Sequence, residues 1–200
     1  MTGAAKPPAL LHRREVVARL VRDRTDLVVI SGLGSPSYDL AAAGDRDRNF
    51  YLWGAMGGAL ALGLGVALAR PDIPVLVLTG DGEALMGMGS FATIALKRPG
   101  NLSVCILDNA MYGETGGQPS HTAGPADLAA IARGCGIADA RRLRSAEEVA
   151  AFAARVHRTA DAPAVAVADV DGEDLPRVLP SRDAAHLTMR LRAALGLPSL

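Results

Sequence analysis

Two apolar runs, Val75 to Thr79 and Leu102 to Leu107, each end in polar residues that suit a ligand. The first ends in Gly80-Asp81-Gly82-Glu83, the second in Asp108-Asn109, and 26 residues separate Gly82 from Asn109. This spacing constrains the fold more than any other feature. Each run reads as a buried strand, and the stretch between them holds one apolar helix, so the strands lie parallel. Parallel neighbours bring their carboxyl ends to one edge of a sheet, where open α/β folds bind ligands. Asp81 and Asn109 can then meet at one ion. Gly80 and Gly82 lack a Cβ, so the backbone can come close to a ligand. The next helix starts near that turn, and its free N–H groups suit an anion. About two protein oxygens, completed by phosphate oxygens and water, are a usual setting for Mg²⁺. The loop after Asn109 is read as closing over the metal.

The rest of the chain alternates strand and helix patterns. His12 to Arg22 is helical by spacing and Asp26 to Ile30 is a short strand. Ser31-Gly32-Leu33-Gly34-Ser35-Pro36-Ser37 forms a second glycine loop before a helix near Tyr38 to Ala43. It is either an ordinary βα turn or a second anion site. Phe50 to Trp53 reads as a brief strand, and Gly54-Ala55-Met56-Gly57-Gly58 opens a helix to Ala69. Glycines inside that helix imply close packing on a neighbouring backbone, and the pattern makes Met56 a core residue. The helix after Gly82 runs through Phe91 to Lys97. Ala126 to Arg133 is helical, Ile137 to Ala140 is a short strand, and Ser145 caps a helix reaching His157, with Glu148 in the capping-box position. Pro163 to Val170 ends the sheet and Asp183 to Ala194 is the last helix. The fold class expected is α/β: a doubly wound, mainly parallel sheet with helices on both faces. Residues 1–200 form one domain, with residues 1–10 flexible.

Charge is balanced at 21 basic and 21 acidic residues, which gives no reason to expect nucleic acid or an anionic membrane as partner. The run Gly54 to Ala69 is too short and glycine-rich for a membrane span. Met1 to Pro8 has no apolar core of a signal peptide, so a cytoplasmic location is expected. Cys105 and Cys135 are the only cysteines and no Cys-x-x-Cys occurs, which leaves a zinc or iron–sulfur site without support.

Gly80-Asp81-Gly82 with the spaced Asn109 resembles the thiamine diphosphate signature. The stretch Asp108-Asn109-Ala110-Met111-Tyr112-Gly113-Glu114-Thr115-Gly116-Gly117-Gln118-Pro119-Ser120-His121-Thr122 is similar to the beta subunit of sulfopyruvate decarboxylase and the C-terminal half of phosphonopyruvate decarboxylase. The resemblance covers about Arg14 to Asp169. It implies a diphosphate-type thiamine diphosphate-binding domain. Asp81 and Asn109 would bind Mg²⁺ with the carbonyl of Met111. Gly34, Ser35, Gly80, Gly82, Glu83, Gly113 and Thr115 would lie along the diphosphate, Glu83 through its backbone N–H. The carbonyl of Gly54 would meet the aminopyrimidine. Met56 would be the apolar wedge that bends the cofactor, and Tyr112 would pack beside the loop. Glu114 is either an exposed loop residue or an active-site group near the reacting carbon. His121 is either a packing residue at a subunit contact or a proton donor to a 2-oxo acid with a second acidic group.

The resemblance also implies something missing. The glutamate that activates the pyrimidine belongs to a pyrimidine-binding domain, so an alpha-type partner subunit carrying that domain is expected in a hetero-oligomer. The reaction implied is decarboxylation of sulfopyruvate or phosphonopyruvate. One alternative is the beta subunit of a 2-oxo acid:ferredoxin oxidoreductase, which has a similar Tyr-Gly-x-Thr-Gly-Gly-Gln loop. Another is a non-catalytic scaffold paralogue.

Overall fold

Period-2 burial on the central strands explains the architecture, a computed structural model that describes residues 10–198. Strand β1 (Val28–Ser31) sends Val28 and Ile30 to one face and Val29 to the other. In the same way β3 (Val75–Gly80) divides Val75 and Val77 from Leu76 and Leu78, and β4 (Leu102–Asp108) divides Val104 and Ile106 from Cys105 and Leu107. Strands apolar on both faces need helices on both faces. On one side lie α3 (Ala59–Ala69), α5 (Gly89–Lys97) and α6 (Leu128–Gly134). On the other lie α1 (Arg13–Leu20), α2 (Ser35–Ala42) and α7 (Ala146–Val156). The last helix, α8 (Ala184–Ala194), gives Leu191 to the first layer and Leu187 to the second, beside β2 (Asn49–Tyr51).

The sheet has six strands in the order β2-β1-β3-β4-β8-β7, where β7 is Asp139–Leu143 and β8 is Ala164–Asp169. All its pairings are parallel. In this register Gly80 pairs with Leu107, so β3 and β4 finish together and release Asp81 and Asn109 at one edge. Leu11 adds a parallel bridge to Val170, and His12 Nδ1 lies 2.8 Å from Asp171 Oδ2 beside it. The nine residues before Leu10, part of the segment expected to be flexible, lie outside the described residues.

The structure differs from the sequence pattern in three main places. Gly54 to Gly58 is a turn, and α3 starts only at Ala59. Gly54 (φ 71°) and Gly57 (φ 91°) adopt backbone angles that exclude them from a helix. The helix after Gly82 is two helices, α4 (Asp81–Met86) and α5, broken at Gly87. A Cβ on Gly87 would lie 2.2 Å from the Gly57 carbonyl oxygen, so the break and the turn are fitted to each other. Strand β8 does not end the sheet; it lies between β4 and β7, and β7 forms the edge. Asp127 caps α6 by accepting from the N–H groups of Ala129 and Ala130. Ser145 accepts from the Glu148 N–H before α7, as expected.

Close packing of the α3 glycines holds at one position only. A Cβ on Gly63 would meet Val77 Cγ2 at 2.1 Å, whereas one on Gly65 would meet open space. Gly63→Ala is therefore expected to destabilise by about 1–3 kcal/mol through overpacking. Gly65→Ala should stabilise by roughly 0.5–1 kcal/mol through helix propensity. Urea unfolding of the two variants measures both, and effects of the same sign would contradict this packing.

Candidate active site

The chain leaves β1 toward β2 on one side and returns to β3 on the other. A crevice opens at the carboxyl ends of strands where the order reverses in this way. Here it is a cavity of about 360 Å³, walled by residues after β1 (Leu33, Ser35), after β3 (Gly80 to Glu83) and after β4 (Asn109), and by the 111–115 loop. A side lobe of about 200 Å³ shares Ser35, Asn109 and Glu114 with it and adds Arg14 and Gly172. Larger hollows of about 540 and 530 Å³ lie between α1 and α7 and around Leu27 and Pro74. Neither gathers the strand ends, so the smaller cavity is the candidate site.

Asp81 begins α4 and is only 2% exposed. Ser120 donates its hydroxyl hydrogen to Asp81 Oδ2, and Thr122 Oγ1 lies 3.2 Å from the same oxygen. Thr122 also donates to Asp108 Oδ1 at 2.6 Å, and Asp108 is balanced by Arg142 at 2.9 Å. Burial pushes the Asp81 carboxyl above the usual aspartate range, the Ser120 hydroxyl opposes this, and the Asp108 charge adds to it. Among the described residues, no lysine, arginine or histidine pairs with Asp81; its side-chain partners are hydroxyls. A buried carboxylate without a cation is costly. A hard divalent cation at this oxygen donor set would supply the missing charge, so these residues fit a bound Mg²⁺.

Asn109 supplies the second oxygen. Its Oδ1 accepts from the Met111 N–H at 3.1 Å and keeps a further lone pair. The turn passes through Ala110 in the left-handed region (φ 58°). Met111–Tyr112 (β5) then pairs antiparallel with Gln118–Pro119 (β6). Gly116 (φ 118°) and Gly117 (φ 74°) make the reversal, and Thr115 Oγ1 donates to Gln118 Oε1 at 3.1 Å. The Thr-Gly-Gly-Gln run is thus the tip of a hairpin whose 111–115 arm walls the cavity.

Gly82 has a different role from the one its position suggested. A Cβ there would lie 2.5 Å from Tyr112 Cε1, so the bare glycine admits the tyrosine ring, while Gly80 does face open space. Tyr112 lines the cavity and its hydroxyl lies 2.7 Å from His121 Nδ1. His121 itself is outside the cavity wall and reaches it only through Tyr112. Met56 is not a core residue: it is 37% exposed, lines the cavity, and its Cε lies beside Gly82. The turn that replaces the expected helix is what turns it outward.

Glu83 is buried and its side chain is engaged by the protein. Oε2 accepts from the Thr79 hydroxyl at 3.0 Å and the Leu33 N–H at 3.1 Å, whereas Oε1 has no well-formed bond. Gly32 makes this possible, since a Cβ there would overlap Glu83 Oε2. Glu114 is exposed and lies on the cavity wall; a Cβ on Gly34 (φ 80°) would come 2.8 Å from its Oε1. Ser35, Met111, Gly113 and Thr115 also line the cavity, but Gly34 and Gly54 are not part of its wall. Sequence reasoning missed Ser120 and Thr122 as partners of Asp81, and Thr79 as a partner of Glu83. Hydroxyl residues directly after the Gly-Gly-Gln turn were the available signal.

Comparison with known proteins bears on the family and the fold. The family described as thiamine pyrophosphate enzyme, C-terminal TPP binding domain, matches residues 37–169. Phosphonopyruvate decarboxylase of Streptomyces viridochromogenes is 37% identical over 98% of this chain and 48% of its own length. The chain thus spans about half of that relative. Sulfopyruvate decarboxylase subunit beta of Methanocaldococcus jannaschii is 41% identical over 68% of this chain and 72% of its own. The crystal structure of benzoylformate decarboxylase from Polynucleobacter necessarius shares the fold, with a TM-score of 0.68 at 18% identity over 88% of this chain and 36% of that one.

Burial raises the Glu83 carboxyl above its ordinary value, with the Thr79 hydroxyl and nearby N–H groups opposing. A folded-state value above the unfolded one means that stability is lost as pH rises through the interval between them. Glu83→Gln removes that loss. It is expected to raise the unfolding free energy of the ligand-free chain by roughly 1 kcal/mol at pH 8. The gain should shrink as pH falls toward the ordinary glutamate value. Denaturant unfolding at several pH values checks this, and a pH-independent change would contradict it.

Proposed function

Because this chain belongs to the thiamine pyrophosphate enzyme family, within its sulfopyruvate and phosphonopyruvate decarboxylase group, we propose that it is the diphosphate-binding, beta-type subunit of a Mg²⁺-dependent 2-oxo acid decarboxylase. Its substrate is sulfopyruvate or phosphonopyruvate, and an alpha-type partner subunit supplies the pyrimidine-binding domain. The observation that carries this reading is the buried, cation-free Asp81 carboxylate beside Asn109, at the strand-order reversal that opens the cavity.

Asp81 and Asn109 hold Mg²⁺ through their side-chain oxygens, and Met111 adds its carbonyl. Ser120 donates to the Asp81 carboxylate and keeps it in one orientation, with Thr122 packed beside it. Gly82, Glu83 and the Gly113–Thr115 turn, with Gly80 and Ser35, line the cavity and would border the diphosphate. Met56, which lines the cavity beside Gly82, would be the apolar support for the cofactor. Gly34 acts indirectly, by leaving room for Glu114, and Gly54 is the position for a carbonyl contact from the turn before α3. Thiamine diphosphate, when bound, supplies the electron sink that makes loss of CO₂ feasible. Glu114, exposed on the cavity wall, would be the protein carboxylate that handles a proton during the reaction. His121 is a positioning residue that holds the Tyr112 hydroxyl, and so the ring that rests on Gly82.

Among the described residues no helix is long and apolar enough to cross a membrane. Cys105 is buried in β4, with its thiol pushed up to about 12 by burial, and Cys135 is a free cysteine elsewhere. Neither is placed as a cluster ligand.

Mixed with a pyrimidine-binding partner, thiamine diphosphate and Mg²⁺, the chain should release CO₂ from one of the two substrates. The chain alone should be inactive. Asp81→Ala should lower kcat/KM by about a hundredfold or more, in the range seen when one transition-state electrostatic contact is removed. A coupled aldehyde assay measures this. Full activity of Asp81→Ala would overturn the metal role, and a mixture inactive on both substrates would overturn the substrate assignment.

A further inference from the structure

Arg13 is the first residue of α1, yet it is only 6% exposed. Arginines at helix starts ordinarily extend into water, and a buried one needs partners for its five N–H groups. The other buried arginines have partners at their terminal nitrogens, although Arg24 Nε, like that of Arg13, has none. Arg24 donates to Asn49 Oδ1 and the Gly44 carbonyl, and Arg155 donates to the carbonyls of Arg158, Gly100 and Ala162.

Arg13 differs. Its Nε lies 2.6 Å from Asp39 Oδ2, but neither atom has an aligned hydrogen bond, so the contact is one of charge. Arg14 Nε also lies 3.2 Å from Asp39 Oδ1. The two guanidiniums and one fully buried carboxylate form a cluster with one positive charge in excess. Among the described residues, the terminal nitrogens of Arg13 have no hydrogen-bond partner. The same side chain lines both the main cavity and its side lobe.

We infer that Arg13 is an anion-anchoring residue of this site, whose terminal N–H groups grip a tetrahedral oxyanion. The chemistry is that of a phosphate, phosphonate or sulfonate group. It fits either the outer phosphoryl of a diphosphate or the acidic tail of the substrate. A planar, always-charged fork suits such a group, and burial strengthens the bonds it makes. Glu114, Glu173 and Asp174 also line the side lobe, so recognition depends on directed N–H groups and not on a generally positive surface. Asp39 sets the guanidinium's position from behind. This inference deepens the proposed function and rests on it.

Calorimetric titration of the full chain with Mg²⁺ present tests it. The probes are inorganic pyrophosphate, and then phosphonoacetate or sulfoacetate added to the pyrophosphate-loaded chain. Arg13→Gln and Arg13→Lys are compared with the native chain, with circular dichroism reporting the fold. Loss of about tenfold or more in affinity is expected for at least one probe in both variants. Weakened pyrophosphate assigns Arg13 to the diphosphate; weakened phosphonoacetate or sulfoacetate alone assigns it to the substrate tail. Affinities within twofold of native for all probes overturn the inference. If Arg13→Gln does not fold, Arg13→Lys decides by the same criterion, since its single ammonium keeps the charge but not the fork. Asp81→Ala separates the two levels. Native binding that Asp81→Ala abolishes and the Arg13 variants leave intact removes only the role of Arg13. A native chain that binds no pyrophosphate removes the functional reading as well.

Discussion

The Asp81 carboxylate is a charge that the protein buries without giving it a cation. Everything around it is arranged to keep it there. Strand β3 delivers it, the parallel register with β4 brings Asn109 to the same edge, and the Ser120 hydroxyl fixes its orientation with Thr122 packed beside it. Neutral hydroxyl donors satisfy the oxygen geometrically and leave its negative charge uncompensated. That is the arrangement expected of a ligand awaiting a metal, because a resident arginine would compete with the ion. Asp108, one strand away and equally well buried, shows the other solution: Arg142 neutralises it.

The loops around this carboxylate are locked to one another by groups that a glycine leaves room for. Gly82 admits Tyr112, Gly32 admits Glu83, and Gly87 admits the backbone of Gly57. Each contact joins segments far apart in sequence. The β1 loop, the turn before α3, the start of α4 and the hairpin therefore form one continuous wall, and a side chain at any of these glycines would push two segments apart. A wall held in this way is ordered before any ligand arrives, which lowers the ordering cost of binding.

Much of this was legible in the sequence. The apolar runs of β1, β3 and β4, the polar residues at their carboxyl ends and the spacing between them specify a parallel sheet, and a parallel sheet with a cavity at that edge is what folds. Periodicity failed where local backbone geometry took over. Met56 matched a helical stripe, but the positive φ angles of Gly54 and Gly57 turn the segment out and expose it. The single helix after Gly82 breaks at Gly87 because of a contact with a residue thirty positions earlier, and no local pattern reports that. Strand β8 reads as the last strand in sequence but is interior in space, since strand order depends on the crossover and not on chain order. Arg13 escaped notice because arginine at a helix start looks like a solvated surface residue. Its burial arises from the Leu11 bridge to Val170 and the packing of α1 on α2, both long-range events. Ser120 and Thr122 lie outside the recognisable glycine turn, and only the folded hairpin brings their hydroxyls to Asp81.

The central claim is that Asp81 and Asn109 form half of a metal site whose other half is a diphosphate. Titration of Mn²⁺ into the chain, followed by electron paramagnetic resonance, tests this most directly. The account predicts weak binding of Mn²⁺ alone, binding of one ion tightened at least tenfold by thiamine diphosphate, and loss of that tightening in Asp81→Asn. Equal Mn²⁺ affinity with and without thiamine diphosphate, or an unchanged response in Asp81→Asn, would contradict it.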